Sequence, residues 1–346
     1  MKAAVLEHLE KIVVKEVSTP PIKKGEMLVK IRSCAVCGSD IRIYHQGNPR
    51  VKSPQIIGHE IAGEVVEVGE GIGTFRLGDR VALGADVPCG VCKFCKNGLG
   101  NNCPINYAIG YQFPGGFAEY IHINETTVKY GPLHKIPENL SFDEASLAEP
   151  LACSLNGYEL ANLKVGDTVV IIGAGPIGLM LVELARNIGA GRIILSQRSK
   201  ERLKIARKFS ADTFISSLEE NLVERVMEET KGEGADVVMV ACANPSAQEE
   251  ALEIVGHRGR VNFFGGLAPG SRKIKIDSNL IHYKECFVLG SHGSVPRHHK
   301  IALELLSRGT VKGKDFISHH FSLDKIKEAF KVAEGHQGLK VIVNPV

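Results

Sequence analysis

The sequence predicts an α/β protein in which a β-rich, barrel-like region is joined to a doubly wound parallel sheet. From residue 1 to about 150, short alternating segments such as 27–32, 64–68 and 117–121 are separated by Gly, Pro and Asn turns. That pattern is typical of all-β barrels. From about residue 165, apolar β-branched runs alternate with helical patterns. Fully apolar strands between helices indicate a parallel sheet covered on both faces.

The order of these elements suggests how the 346 residues divide into domains. At about 150 residues per domain, a chain of this length is expected to form two. The second region contains six predicted strands, beginning at residues 168, 192, 213, 237, 261 and 287. The long connection 265–285 shows no helical pattern, and two amphipathic helices and a strand follow residue 290. We expect domains of residues 1–150 and 151–290, with residues 291–346 returning to the first.

Composition excludes several classes of function. The 42 Lys and Arg residues nearly balance the 39 Asp and Glu residues, giving a net charge of +3. Such a balance argues against a nucleic-acid-binding protein. No apolar run approaches the ~18 residues of a membrane span. Residues 1–7 lack a signal-peptide core and predict a strand, so we expect a cytoplasmic protein with reduced cysteines.

Four of the nine cysteines lie close together in the first region. Cys89, Cys92, Cys95 and Cys103 have the spacing C-x2-C-x2-C-x7-C, which in a reducing compartment indicates metal binding. Four thiolates close a tetrahedral zinc shell and leave no open position. The sequence therefore predicts a structural zinc lobe over about residues 86–105. The alternative, a nucleic-acid-binding zinc ribbon, receives little support from the residues between the cysteines.

A nucleotide-binding loop is predicted at the start of the second region. The apolar run 168–172 leads into Gly173-Ala174-Gly175-Pro176-Ile177-Gly178 and then a helical pattern. Strand, glycines and helix in this order are specific for a dinucleotide site, whereas the glycines alone would be a weak signal. Gly173 permits a tight turn, Gly175 a close approach to the pyrophosphate, and Gly178 helix packing. The helix N-terminus supplies N–H donors to the phosphates.

The end of the second predicted strand bears on which dinucleotide binds. A carboxylate about 20 residues after the glycines normally binds the ribose 2′-hydroxyl. Here the chain has Gln197 and Arg198, with Arg202 one helical turn later. Because a guanidinium suits a 2′-phosphate, the sequence favours NADP(H) over NAD(H). The alternative is that both arginines are solvated charges at a helix start.

A second set of possible metal ligands is dispersed: Cys37, His59, Glu60 and Glu149. One Cys, one His and one carboxylate, with a fourth position open, is the composition of a catalytic zinc site. Spacing alone does not establish such a site. On that basis His59 could equally be a satisfied buried histidine, and Glu149 a carboxylate at a helix end.

Several motifs together resemble the zinc-containing medium-chain alcohol dehydrogenases, in order and over nearly the whole chain. They are Cys37-Gly38-Ser39-Asp40, Gly58-His59-Glu60-x-x-Gly63 with Gly69, Gly78-Asp79-Arg80-Val81, the four-cysteine lobe, Gly115-Gly116-Phe117-Ala118-Glu119-Tyr120 and the dinucleotide loop. Glu149-Pro150 stands where the alcohol dehydrogenase branch has its second cysteine. In this respect the chain looks like the polyol (sorbitol-type) and threonine dehydrogenase branch.

This resemblance implies a GroES-like catalytic domain, a Rossmann domain and two zinc ions per chain, one catalytic and one structural. It implies Cys37 and His59 as ligands, with Glu60 and Glu149 competing for the third place. Ser39 would be the first member of a proton relay, and Asp40 would orient the His59 ring.

Two nearby residues fit the family's relay pattern less well. Arg42 stands where relatives often carry a relay histidine, and an arginine cannot act as a base. Either His45 or a water chain would replace that histidine, or Arg42 would bind a cofactor phosphate. We do not assign a catalytic role to His45.

The implied function is a zinc-dependent oxidoreductase that moves a hydride between the secondary alcohol of a polyol or sugar-like substrate and NAD(P). The alternatives are an L-threonine 3-dehydrogenase and a catalytically inactive binding protein of the same fold. Relatives are dimers or tetramers, so we expect a homo-oligomer, with segments 261–264 and 287–290 as a candidate edge. His298, His299, His319 and His320 are predicted to be surface or interface histidines.

Overall fold

The computed structural model describes residues 1–345, position 269 by its backbone alone, and separates into two compact units. The first unit comprises Met1–Cys153 together with the chain from Gly293 onward. The second comprises Ser154–His292. Within residues 1–345, no helix combines the length and apolarity that crossing a bilayer requires.

The first unit is built mainly from short strands. Its strands before residue 154 are β1 Lys2–His8, β2 Lys11–Glu16, β3 Met27–Ala35, β4 Gln55–Ile56, β5 Glu60–Val68, β6 Arg80–Leu83, β7 Asp86–Val87, β8 Tyr107–Ala108, β9 Tyr120–Ile123 and β10 Leu133–Lys135. Its helices are α1 Gly38–Gln46, α2 Lys93–Lys96, α3 Glu125–Tyr130, α4 Phe142–Ser146 and α5 Ala148–Ala161, which runs into the second unit, and Gly100–Asn102 forms a 3₁₀ turn.

The second unit alternates strands and helices. Its strands are β11 Thr168–Ile172, β12 Arg192–Gln197, β13 Thr213–Ser216, β14 Ala235–Val240, β15 Val255–Phe263 and β16 Phe287–Gly290. Its further helices are α6 Pro176–Ile188, α7 Lys200–Ala206, α8 Leu222–Glu229, α9 Pro245–Ile254 and α10 Ser278–Lys284, with a 3₁₀ turn at Pro269–Ser271. The six strands pair in parallel in the order β13-β12-β11-β14-β15-β16. This doubly wound order reverses beside β11, which is where such sheets bind nucleotides.

The rest of the chain completes the first unit. It adds α11 Pro296–Ser307, β17 Ile317–Ser322, α12 Ile326–Glu334 and β18 Lys340–Asn344, with 3₁₀ turns at Gly313–Phe316 and Leu323–Lys325. Strand β18 lies between β17 and β3 in the large sheet, whose order is β10-β6-β5-β3-β18-β17, and β9 also pairs with β3. A strand from the end of the chain is therefore central to a sheet begun near residue 27.

Packing explains two features of the sequence pattern. The middle of β11 is buried on both faces, with Val169, Val170 and Ile171 at 0% exposure. Its sequence therefore does not alternate between apolar and polar residues. In the barrel unit, a Cβ atom at Gly63 would lie 2.3 Å from the Lys30 carbonyl oxygen on the neighbouring strand. Only glycine permits that approach of β5 to β3, which accounts for the last glycine of the His59 motif.

The predicted fold class is confirmed, but two local predictions are wrong. Segment 265–285 contains α10, although no helix was expected there. None of the α10 residues is fully buried, and the helix depends on its Asp277 N-cap, so it has no apolar stripe to detect. His298 and His299 are buried on α11, at 3% and 0% exposure, instead of lying at a surface. His320 is exposed on β17, as predicted.

Candidate active site and metal centres

Three donor side chains from two loops meet in the first unit. Cys37 is the N-cap of α1, His59 precedes β5, and Glu60 is the first residue of β5. The Cys37 sulfur, a His59 ring nitrogen and a Glu60 carboxylate oxygen lie within 4.8 Å of one another. A thiolate, an imidazole and a carboxylate at that separation can share one tetrahedral zinc ion, so the donor set fits this metal.

The His59 ring is held in one orientation. Its Nδ1 atom lies 3.2 Å from the buried Asp40 carboxylate, and its Nε2 atom lies 3.3 Å from the Ser39 hydroxyl. Asp40 is itself held because it accepts a hydrogen bond from the Cys37 N–H at 2.9 Å. Burial alone would lower the pKa of His59, but the charges of Asp40 and Cys37 raise it well above its ordinary value. A cation is therefore favoured at this imidazole, which is what a metal supplies.

The two candidate carboxylates have different surroundings. Both oxygens of Glu60 contact the ammonium of Lys340, a buried residue at the start of β18. Within residues 1–345, Glu149 does not belong to the set of Cys37, His59 and Glu60, whose donor atoms lie within 4.8 Å of one another. It is buried on α5, where it accepts a hydrogen bond from the Cys153 thiol at 3.5 Å. Burial is the main cause that raises the pKa of Glu149 to about 7.

The three candidates for the proton relay have different surroundings in the structure. Ser39 lies between the His59 ring and Tyr111, whose ring centroid is 5.7 Å from that of His59. His45 has Glu10 and Glu334 at 2.9 Å from its two ring nitrogens, which engages both. Arg42 is exposed. The surroundings of His45 give no support to a role in proton relay.

The four cysteines of the lobe lie together around the short helix α2. The Cys92 and Cys95 sulfurs are 3.4 Å apart, and those of Cys89 and Cys95 are 3.9 Å apart. Zn–S bonds of about 2.3 Å in a tetrahedron place sulfurs roughly 3.8 Å from one another, so this set also fits zinc. Burial opposes ionisation of Cys103, but backbone N–H donors at Cys89, Asn106 and Ile105 lower its pKa to about 6. A thiolate, the form that binds metal, is therefore favoured at this position.

The glycine loop of the second unit has the geometry of a phosphate-binding turn. Gly173 has φ +111°, and a Cβ atom at Gly178 would lie 1.8 Å from the Gly173 carbonyl oxygen. Gly175 is the N-cap of α6, with Pro176 in the first turn and Ile177 next to it. Positions 173 and 178 therefore accept only glycine. The free N–H groups at the start of α6 are available to a phosphate.

A cavity of about 400 Å³ lies next to this loop and is lined by Gly173, Gln197 and Arg198, among others. Gln197 accepts a hydrogen bond from the Ala174 N–H at 3.4 Å. Arg198 is exposed at the cavity. Arg202 is 8% exposed and donates to the Ala174 carbonyl at 3.4 Å, while its Nε has no partner. The alternative that Arg202 is a solvated charge is therefore wrong, because its side chain packs against the glycine loop.

Sequence reasoning missed three residues of the metal site: Lys340, Tyr111 and Cys153. Lys340 begins the apolar run of β18, and a lysine in such a run was a signal that it has a buried partner. Tyr111 and Cys153 belong to no motif, and their positions follow only from the fold.

Taken unit by unit, these features define an oxidoreductase class: a Cys, His and Glu cluster that can hold a metal, with a serine hydroxyl beside it, and a unit with the loop and strand order of a dinucleotide-binding fold. Two family models match the chain, an alcohol dehydrogenase GroES-like domain over residues 23–138 and a zinc-binding dehydrogenase over residues 176–308. The chain belongs to the zinc-binding alcohol dehydrogenase family. The predicted family, fold class and reaction class are thereby confirmed, and the protein is a zinc-dependent dehydrogenase that uses a nicotinamide cofactor.

Individual relatives cover nearly the full chain. Sorbitol dehydrogenase of Bacillus subtilis is 33% identical, over 100% of this chain and 97% of its own. L-threonine 3-dehydrogenase of Pyrococcus furiosus is 37% identical, over 94% and 93%. A solved structure from Sinorhizobium meliloti 1021, described as a zinc-binding dehydrogenase bound to NADP, is 31% identical with a TM-score of 0.92, over 99% of both chains.

Proposed function

We propose that this enzyme oxidises the secondary alcohol of a polyol or sugar-like substrate, with NADP(H) as its preferred cofactor and two zinc ions per chain. The observation that carries the proposal is the cluster of Cys37, His59 and Glu60 with the Ser39 hydroxyl beside it. Three protein ligands leave a fourth position for a substrate oxygen. Similarity to a sorbitol dehydrogenase supports a polyol as that substrate.

The chain's own residues supply binding, orientation and proton transfer. Bound zinc would supply Lewis-acid chemistry at the alcohol oxygen, and bound nicotinamide would supply the hydride acceptor. Asp40 fixes the ring orientation of His59, so that Nε2 faces the metal position. Ser39 can relay the alcohol proton, accepting it at the hydroxyl oxygen while its own hydroxyl proton passes to solvent, since this half-buried hydroxyl contacts both His59 and Tyr111.

The third zinc ligand is proposed to be either Glu60 or Glu149. Glu60 is within reach of Cys37 and His59 but is already paired with Lys340. Glu149 has no cationic side chain bonded to its carboxylate in the described chain and would gain most from a metal. Zinc affinities of Glu60→Gln and Glu149→Gln decide between them, because loss of a direct ligand reduces affinity more than loss of its neighbour.

The preference for NADP(H) rests on Arg198. It lines the cavity at the end of β12, a strand end that carries no carboxylate for the ribose 2′-hydroxyl; the carboxylate in the cavity's lining is Glu250, on α9. Calorimetric titration of the zinc-loaded protein with NADP⁺ and NAD⁺ tests this preference. We expect tighter NADP⁺ binding that Arg198→Ala removes. Equal binding of the two cofactors, or a preference for NAD⁺, contradicts it.

A homo-oligomer is proposed through the edge strand of the second unit. Strand β16 is the last strand of the six-stranded sheet, and Phe287 and Val288 on it are 50% and 39% exposed. An edge strand with exposed apolar side chains is suited to pairing with a second copy. Sedimentation at dimer or tetramer mass, shifted to monomer by Val288→Lys, is the expected result; a monomeric wild type contradicts the proposal.

The second candidate function is an L-threonine 3-dehydrogenase, because a relative with that activity is 37% identical. An inactive binding protein is disfavoured, since both metal sets and the glycine loop are intact. The test is turnover of the zinc-loaded enzyme with sorbitol, other polyols and L-threonine. Oxidation of a polyol supports the proposal, oxidation of threonine alone replaces it, and cofactor binding without turnover of any alcohol leaves the binding protein.

A further inference from the structure

A second cavity, of about 450 Å³, lies within the first unit next to Tyr111. Its walls come from the loop between α1 and β5 and from the segment after the four-cysteine lobe. The loop supplies Arg50, Lys52 and Gln55, and the segment supplies Tyr107, Tyr111 and Gln112. Two of its lining residues are cations and none is acidic. Such a cavity attracts an anion.

In the part of the chain that the structure describes, neither cation of this cavity is neutralised by a carboxylate. Within residues 1–345, Arg50 and Lys52 have no carboxylate within ion-pair distance, whereas Lys24 pairs with Glu70 at 3.3 Å and Arg76 with Asp79 at 3.5 Å. Cations that face a shared cavity without a partner repel each other, and an anionic ligand would relieve that repulsion.

Arg50 is positioned rather than mobile. One guanidinium nitrogen donates to the Asn106 carbonyl at 2.5 Å, and the guanidinium carbon lies 5.2 Å from the centroid of the Tyr111 ring. In the described chain this is the only hydrogen bond of the guanidinium, so its other N–H donors are available to a ligand. Gln112 is likewise held through its Oε1, which accepts from the Ala108 N–H at 3.1 Å, leaving its amide group to donate.

Tyr111 connects this cavity to the metal cluster. One side of the side chain faces the His59 ring, with the centroids 5.7 Å apart, and the Arg50 guanidinium lies over the ring. The cavity's lining includes none of Cys37, His59 and Glu60, so its anion-binding groups lie apart from the reacting position, with Tyr111 in contact range of both. A substrate that reaches both must carry its anionic group several bonds away from the hydroxyl being oxidised.

We propose that Arg50 and Lys52 bind the terminal phosphate of a polyol phosphate, a substrate class that rests on the proposed dehydrogenase function. The arginine fork and the lysine suit a phosphate dianion, and the amide of Gln112 suits the hydroxyls along the chain. The carboxylate of a 3-hydroxy amino acid is only two carbons from its carbinol carbon. It is too close to span the Tyr111 ring.

The experiment compares tetritols, pentitols and hexitols with their terminal phosphate esters on the zinc-loaded enzyme. The variant Arg50→Gln/Lys52→Gln removes the two unpaired cations. Its control, Lys24→Gln/Arg76→Gln, removes two positive charges that are already paired. We expect a KM at least about 10-fold lower for one ester than for its parent polyol, and a rise in that KM of about 100-fold in the cavity variant, with kcat within about twofold. Turnover of the parent polyol should be unchanged in the control variant, and in the cavity variant its KM should rise far less than that of the ester.

Calorimetry with inorganic phosphate and with the preferred ester provides a readout that does not need turnover. Binding that the cavity variant loses and the control keeps supports the anion site, even if no polyol is oxidised and the proposed function fails. Equal kcat/KM for ester and polyol in the wild type, or equal losses for both in the cavity variant, overturns the inference. So does oxidation of L-threonine with a KM that depends on Arg50 and Lys52, because the site would then bind a carboxylate.

Discussion

The two candidate metal clusters of the first unit are assembled in opposite ways. The four-cysteine lobe takes all its ligands from fifteen consecutive positions, between Cys89 and Cys103. The second cluster takes Cys37 from the start of α1 and His59 and Glu60 from the start of β5, and Glu60 is paired with Lys340 from the other end of the chain. One cluster is a local structure, and the other exists only when the barrel has closed.

This difference matches the role proposed for each cluster. A local, closed thiolate shell orders its own loop and needs no exact relation to the rest of the protein. A site that must leave a position open, orient an imidazole and face a substrate needs groups fixed from several directions. The barrel supplies that fixation, because α1, β5 and β18 all belong to one packed unit.

Cys37→Ser should have the largest effect and should affect only the dispersed cluster. Loss of a metal ligand removes several kcal/mol of transition-state stabilisation, so we expect kcat/KM to fall at least about 1000-fold. Zinc content should fall by one ion per chain, while the unfolding transition of the zinc-free protein changes little. Metal analysis and steady-state kinetics measure this, with Cys286→Ser as the matched control. Full activity with two zinc ions would show that Cys37 is not a ligand.

Lys340→Met should show how far the dispersed cluster depends on the distant strand β18. It leaves the Glu60 carboxylate buried without its charge partner, and such a loss costs about 3–5 kcal/mol of unfolding free energy. Adding Glu60→Gln should restore most of that stability, since the unpaired charge is gone. Urea unfolding of the zinc-free single and double variants provides the measurement. If the single and double variants have equal unfolding free energies, the Lys340–Glu60 ion pair is not the cause of the lost stability.

Cys95→Ser should break the local cluster and leave the dispersed one assembled. We expect loss of one zinc ion and a decrease in unfolding free energy of about 3 kcal/mol, because the lobe loses its bound metal. The Cys37 cluster should still bind zinc with unchanged affinity, measured by competition with a chelator. Simultaneous loss of both ions would show that the two clusters are coupled, contrary to the comparison.

A smaller effect is expected from a buried histidine pair, which makes the first unit sensitive to acid independently of the metal sites. The Nδ1 atoms of His134 and His299 lie 3.0 Å apart, and burial lowers the pKa of His134 to about 4 and of His299 to about 3. The unfolded chain takes up these protons near pH 6.5 and the folded chain does not, so stability should fall as the pH drops below 6.5.

For His299 alone, we expect a loss of about 1 kcal/mol between pH 6.5 and 5.5. His299→Leu should reduce that slope in the zinc-free protein, where metal release contributes nothing. Urea unfolding at the two pH values measures it, and the exposed-site variant His8→Leu is the control. A slope that does not differ between His299→Leu and the wild type would assign the acid sensitivity elsewhere.

The same contrast explains how much was predictable from sequence. The lobe, the glycine loop and the strands of the second unit depend on neighbours in the chain, so spacing and periodicity were sufficient to find them. Cys37 and His59 were identified only through resemblance to a family, because spacing says nothing about which distant loops meet. Helix α10 has no fully buried residue, and His298 and His299 are polar residues that the fold buries, so neither could be found from a pattern of apolar residues.

The Lys340–Glu60 pair and the Tyr111 contact lay beyond sequence reasoning for a physical reason. A buried lysine requires a partner, but the strand order that brings β18 beside β3 determines which carboxylate it meets. Likewise, Arg202 could be recognised as a charge near the glycine loop. Its burial against Ala174 follows from how α7 packs.

The position of β18 also has a consequence for synthesis on the ribosome. The second unit is contiguous in the chain, so its six strands have all been translated once residue 290 is complete. The sheet of the first unit lacks a central strand until residues 340–344 have been made and have left the exit tunnel. The unit that begins first is therefore the last to finish folding, and a ribosome that stalls before residue 340 leaves the edge of β3 uncovered and Glu60 without its lysine.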